Sequence, residues 1–365
     1  MLIYIITLFL IAIFSLYPYM NNNTSQSRRI YLYLSFTIMT FILGLRGKMV
    51  GEDTQHYLHI FKNAANVKWL DMIRSAGMRT GYYTDEYGYT DTIENGFLII
   101  AKVVHWFTDN GQIFLFLVAA ATCILFAKFI YDNCKKVVFP TYIFLCESMF
   151  MIAFNGARQI LAAAVAVQAY TYLKNRKWKK AIFIILIASL IHNVALICFA
   201  LFPIMMIEPK KEFRSFKYAM IATIAAPFGI VLAQAIVTKL FPRYIAYFSS
   251  NFWTNHLGGI SILWSIEFIL IMVCYVKHFK VENSFRNSCL VLVYLTCELM
   301  GLRITMFSRV GWFFRPYLMV FLPGCKNYFT KRTWQLIQSM LVILLTLLYF
   351  SYARTPARLY TFFWQ

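Results

Sequence analysis

Thirteen residues, Leu45-Arg-Gly-Lys-Met-Val-Gly-Glu-Asp-Thr-Gln-His-Tyr57, hold the densest chemistry in this chain. Two cations, two carboxylates, two glycines and a histidine fall between Arg46 and His56. Glycines at 47 and 51 free the backbone from helical geometry, so amides and side chains can converge on one point. The chemistry this predicts is an anion site with a carboxylate beside it, Asp53. The plainer reading is a loop whose Arg and Lys mark the end of a membrane span.

Four further arginines, Arg158, Arg303, Arg309 and Arg315, fall at the same kind of position as Arg46, the ends of apolar runs. Any one of them can snorkel to lipid headgroups. Together they match phosphate, because the guanidinium fork donates two parallel hydrogen bonds and stays charged. On one continuous helix Arg309 and Arg315 point about 120° apart, so they share a site only if Pro316 distorts the turn. Asn155-Gly156-Ala157-Arg158-Gln159 precedes an alanine-rich helix. Asn155 is predicted to be its N-cap, which sets Arg158 beside free amides at the positive end of the helix. The alanines themselves read as a close-packing surface.

His192 lies inside a long apolar segment, where a polar group is costly and faces either a hydrogen-bond partner or a cavity. Glu147, Glu267 and Glu298 lie in or near spans and are read as partners for arginine. His56 and His59 have the spacing of a metal pair, but no other ligand follows at recognisable spacing, so no metal site is assigned.

The elements that must position these groups are helices in a membrane. The chain is 60% hydrophobic and 14% charged, against roughly 45–50% and 25% in soluble domains. Its net charge of +20 therefore reads as cytoplasmic loops and an anionic substrate, and no nucleic acid is implied. The eight cysteines show no CxxC pair and read as small core residues. Leu2–Tyr19 lacks a basic leader and a cleavage signal and is read as a retained helix. Ten runs are apolar and long enough to serve as spans: 2–19, 30–45, 112–131, 137–154, 157–173, 218–240, 260–276, 289–302, 311–325 and 334–350. Two segments are ambiguous. Asn95–Phe107 is short, and Ala181–Ile207 is interrupted at His192-Asn193 and Pro203.

Positive charge arbitrates between the arrangements. With Arg28 and Arg29 inside and neither ambiguous segment crossing, the inside connections carry nineteen Lys and Arg. A crossing at 95–107 alone would move the Lys174–Lys180 cluster outside. The expected fold is all-α: a single polytopic bundle over residues 1–365 with ten spans and both termini outside. A long external segment, 46–111, carries a re-entrant or interfacial helix at 95–107. The segment 181–207 is drawn as a hairpin with His192 at its tip, and 241–259 as an aromatic external loop.

Arg46-Gly47-Lys48-x-Val50-Gly51-x-Asp53-Thr54-x-x-Tyr57, Glu94-x-Gly96, Asn155-x-x-Arg158-Gln159 and the apolar His192 resemble the EpsG-type members of the Wzy-like polysaccharide polymerases. Arg309 ahead of Tyr317 and Pro323 resembles the family's C-terminal region less distinctly, and Ser75–Asp91 departs from the pattern. The resemblance implies a GT-C-like helical fold in the bacterial cytoplasmic membrane, with the active site facing outside. It implies a glycosyltransferase that joins undecaprenyl-pyrophosphate-linked oligosaccharide units, with membrane lipids and a chain-length regulator as further partners. No cofactor or metal is implied, in keeping with the lack of a P-loop, a Rossmann fingerprint or a DxD loop.

On this resemblance Arg46, Arg158 and Arg309 hold the pyrophosphate, and Asp53 or His192 serves the attacking hydroxyl. Asn155, Gln159, Tyr57, Glu94 and Arg315 are additional candidates. The competing readings are an O-antigen ligase, with the same donor and another acceptor, and a lipid-linked oligosaccharide flippase, which predicts a cation-lined path and internal repeats.

Overall fold

The computed structural model describes residues 1–75, 79–147, 149–207, 211–240, 259–281, 283–302 and 304–365. Arg303 and nearly all of the expected aromatic loop 241–259 lie outside them. The described chain is all-α apart from one β-hairpin.

Contacts divide the chain into two compact units, Met1–Phe199 with Tyr349–Gln365, and Ala200–Leu348. In the first unit α1 (Leu2–Phe14) and α2 (Leu16–Met20) form one apolar run. The Thr24 hydroxyl accepts the Ser27 amide at 3.2 Å and so caps α3 (Ser25–Gly44). Residues 46–111 then form α4 (Thr54–Ala64), α5 (Trp69–Arg74), strands β1 (Arg79–Thr84) and β2 (Thr90–Glu94), and α6 (Asn95–His105). Next come α7 (Gly111–Asn133), α8 (Val138–Cys146), α9 (Met149–Asn155), α10 (Ala157–Ala166), α11 (Gln168–Lys174) and α12 (Trp178–Ile191). His192 interrupts the helical backbone, and a 3₁₀ stretch, Asn193–Ala200, follows.

The core of this unit is aromatic and close-packed. Phe61 stacks on Phe114 at 5.0 Å, and Phe126 meets Phe144 at 4.8 Å. Ala162, Ala163, Ala164 and Ala166 are buried where α10 packs against α7 and α12. A helix surface of methyl groups allows that approach.

The second unit contains α13 (Leu201–Met206), α14 (Glu212–Leu240), α15 (Gly259–Val276), α16 (Ser284–Gly301), α17 (Thr305–Gly311) and α18 (Leu318–Cys325). It is built around α16, which packs on α14, α15, α17 and α18. The last helix, α19 (Lys331–Ala353), runs from the second unit into the first.

Four runs are long and apolar enough to cross a membrane by length and composition among the described residues: Leu2–Met20, Gly111–Asn133, Val138–Asn155 and Lys331–Ala353. Of the other expected spans, 260–276 lies in one apolar helix, α15, and two more are interrupted. Residues 157–173 divide at Val167 into α10 and α11, and 311–325 begins with a 3₁₀ turn, Arg315–Tyr317.

Candidate functional site

The two ambiguous apolar segments pack on each other. A Cβ on Gly96 would lie 2.6 Å from the Leu190 carbonyl carbon, so α6 and α12 meet backbone to backbone where α6 starts and α12 ends. That contact brings Glu94, at the N-cap position of α6, to His192, at the C-cap of α12. Helix dipoles favour this assignment, with the anion at a helix start and the ring that can gain a proton at a helix end.

Arg158, in the first turn of α10, completes the cluster. Its Nη1 forms a short ion pair with Glu94 Oε2. Glu94 Oε1 accepts the Asn193 amide at 3.4 Å and lies 3.9 Å from His192 Nδ1. The Val194 amide donates to His192 Nδ1 at 3.3 Å, so the neutral ring carries its proton on Nε2. Arg158 strengthens the positive end of α10, so this position draws an anion, and a carboxylate already occupies it.

Tyr57 closes the cluster from α4. Its hydroxyl donates to the Asn155 carbonyl at 3.0 Å and receives the Arg158 amide at 3.5 Å. This corrects the expected cap. Asn155 ends α9, Gly156 takes the cap position of α10, and the Tyr57 hydroxyl does the capping. Burial, and next the charge of Asp53, push the Tyr57 hydroxyl up to about 12, so it remains a protonated donor at neutral pH. Asp53 itself is exposed, one turn before Tyr57 at the start of α4. Gln159 is buried beside Arg158 in sequence.

Arg46 has a different setting from an exposed phosphate ligand. It is 2% exposed, donates to the Leu43 carbonyl at 2.7 Å and the Thr54 hydroxyl at 3.0 Å, and lies over the Phe154 ring. Nη2 has no hydrogen-bond partner among the described residues. Burial lowers its pKa to about 10, so the guanidinium stays charged at neutral pH.

The glycines around Arg46 serve a contact that the sequence reading missed. The amides of Gly47 and Gly51 donate to the carbonyls of Thr361 and Ala357, and Phe363 donates to Leu45. A Cβ on Gly51, whose φ is +87°, would meet the Phe154 carbonyl oxygen at 2.2 Å. The C-terminal tail therefore straps the 45–51 loop, and these two amides are not part of an anion cradle. Tyr4 Oη donates to the Arg358 carbonyl at 2.8 Å, which puts the start of α1 at the same end as this strap.

The other two arginine candidates belong to the second unit. Arg315 is buried and paired with Glu298 at 3.0 Å, while Arg309 is exposed on α17. The helix ends between them at Gly311, so the continuous-helix geometry expected for the pair does not hold. His56 and His59 face tyrosine rings of the hairpin: His56 lies 6.2 Å from Tyr82 and His59 4.6 Å from Tyr83.

Long apolar helices, broken helices and a half-buried Arg–Glu–His cluster at their ends define a polytopic membrane protein with a polar site set among helix termini. The chain matches the EpsG family over residues 29–364, nearly its whole length, and belongs to that family of Wzy-like polymerases. No curated protein and no solved structure matches it.

Proposed function

We propose that this chain joins undecaprenyl-pyrophosphate-linked oligosaccharide repeat units into a surface polysaccharide at the outer face of the cytoplasmic membrane. In this reading it crosses the bilayer ten times with both termini outside. The observation that carries the proposal is the convergence of Arg158, Glu94 and His192, from three sequence-distant helix ends, on one partly open point.

In the proposed reaction the growing glycan is the donor. Its pyrophosphate replaces Glu94 on Arg158, since a dianionic group competes well for a guanidinium at a helix start. Buried Arg46 keeps a fixed positive charge behind the site and holds the 43–54 turn. The hydroxyl of the incoming unit attacks the anomeric carbon. The carbon–oxygen bond to pyrophosphate breaks and undecaprenyl pyrophosphate leaves with the electron pair. The hydroxyl proton passes to His192, with Asp53 as the alternative acceptor. Glu94, released from Arg158, stays beside His192 and stabilises the imidazolium. Positive charge at Arg158 offsets the charge that grows on the leaving group. A single displacement inverts the anomeric centre.

The test is Arg158→Ala in a strain lacking the native chain, with surface glycan resolved on a gel. The expected result is a normally inserted protein and a ladder collapsed to one repeat unit. A ladder of normal length would overturn the role of Arg158.

A further inference from the structure

The β1–β2 hairpin is rooted in the site, because the last residue of β2 is Glu94. A row of rings runs outward from there. His56 lies 6.2 Å from Tyr57 and 6.2 Å from Tyr82, and His59 lies 6.1 Å from Tyr82 and 4.6 Å from Tyr83. The Arg158 charge is felt at both His56 and Tyr82, which ties the inner end of the row to the ion pair. The outer end is the hairpin turn, where Tyr87 and Tyr89 are 86% and 78% exposed. The Asp85 carboxylate accepts their amides at 3.0 and 2.8 Å, so the turn holds both rings out on an ordered backbone.

Exposed rings on an ordered, water-facing hairpin mark an interaction surface. Its chemistry selects among partners. Asp85, Glu86 and Asp91 are interleaved with the rings, and that acidity opposes docking on anionic lipid headgroups. Rings alternating with carboxylates suit a sugar chain, whose C–H faces lie on aromatic faces while its hydroxyls donate to carboxylates. The reach fits as well. Four rises along β2 from Glu94 to Thr90 at about 3.3 Å each give roughly 13 Å of strand, with the turn that carries Tyr87 and Tyr89 beyond it, the scale of two or three sugar residues.

We propose that His56, His59, Tyr82, Tyr83, Tyr87 and Tyr89 form a stacking track for the saccharide of the lipid-linked oligosaccharide, leading it to or from Arg158. This rests on the polymerase reading above. The track assigns His56 and His59 to ring contacts with sugar.

The probe is the single lipid-linked repeat unit that accumulates in a strain lacking this chain, supplied to the full-length protein in reconstituted vesicles. For Tyr87→Ala with Tyr89→Ala, KM for the unit is expected to rise roughly 2- to 10-fold per ring lost, with kcat retained and a shorter product ladder. The Tyr87→Phe, Tyr89→Phe variant keeps the rings and is expected to restore the native KM. Native KM and ladder length in the alanine variant would overturn the track, while coupling by the native protein would leave the polymerase reading standing. An equal loss in the phenylalanine variant would overturn ring stacking in particular. Failure of the native protein to couple the unit at all would overturn the polymerase reading and the track with it.

Discussion

The two Arg–Glu pairs among the described residues have the same chemistry and opposite construction. Arg158 and Glu94 have side chains 20% and 5% exposed and lie at the starts of two helices, with His192 at the end of a third. Arg315 and Glu298 are 2% and 6% exposed, with Glu298 in the last turn of α16 and Arg315 opening the Arg315–Tyr317 turn. The Tyr294 ring covers Arg315 at 5.1 Å, and a Cβ on Gly311 would come within 3.2 Å of Glu298 Oε1. A helix start supplies unpaired amides that can hold an anion, whereas the last turn that carries Glu298 presents carbonyls, and its surroundings leave the carboxylate nowhere to go. The first pair is thus open to exchange with another anion, and the second is sealed as a structural joint.

Truncation separates the two most strongly. Arg315→Ala strands a buried carboxylate and is expected to cost about 3–5 kcal/mol, read as loss of folded protein from the membrane. Arg158→Ala leaves its carboxylate next to His192 and the Asn193 amide and should insert normally. Comparable depletion of both variants on membrane immunoblots would erase the distinction.

Glu94→Gln probes the open pair from its other side. The amide retains the shape and the Asn193 hydrogen bond but loses the charge that pairs with Arg158 and attends His192. Polymerisation is expected to slow roughly 10²-fold, the scale on which misplaced catalytic groups lose rate, with membrane levels near native. An unchanged rate of ladder formation would remove Glu94 from the reaction and leave it as packing.

These outcomes bear on what could be read before the structure. Arg158 and His192 were legible because a polar group in an apolar run stands out against its solvation cost. Glu94 was visible only as one residue of a short motif. Its central place depends on the Gly96–Leu190 backbone contact, which leaves no mark beyond a glycine. The strap over the 45–51 loop was hidden because its hydrogen bonds run between main-chain atoms, and these carry no residue preference. Asn155 misled for a definite reason: Asn is a favoured N-cap, yet here it finishes one helix and a glycine separates it from the next. The hairpin was hidden in a segment that departs from the family pattern, and its tyrosines had no partner until His56 and His59 came beside them.

The smallest expected effect reports on the electrostatics of the open pair. Burial, and next the Arg158 guanidinium, hold His56 below the ordinary histidine value of 6.5, with His59 acting the same way and Asp53 and Asp91 opposing. The unfolded chain gains this proton near 6.5 while the folded chain resists it. The stability is therefore whole above 6.5 and lost as the pH falls through the lower folded value. Thermal unfolding in detergent should show that decline, and His56→Gln should flatten it slightly, because the ring is partly open to solvent. Pyrophosphate added to the native protein should flatten it too, since an anion on Arg158 removes part of what holds the His56 proton off. A slope that ignores both the substitution and the anion would place His56 outside the field of Arg158 and break the link between the site and the aromatic track.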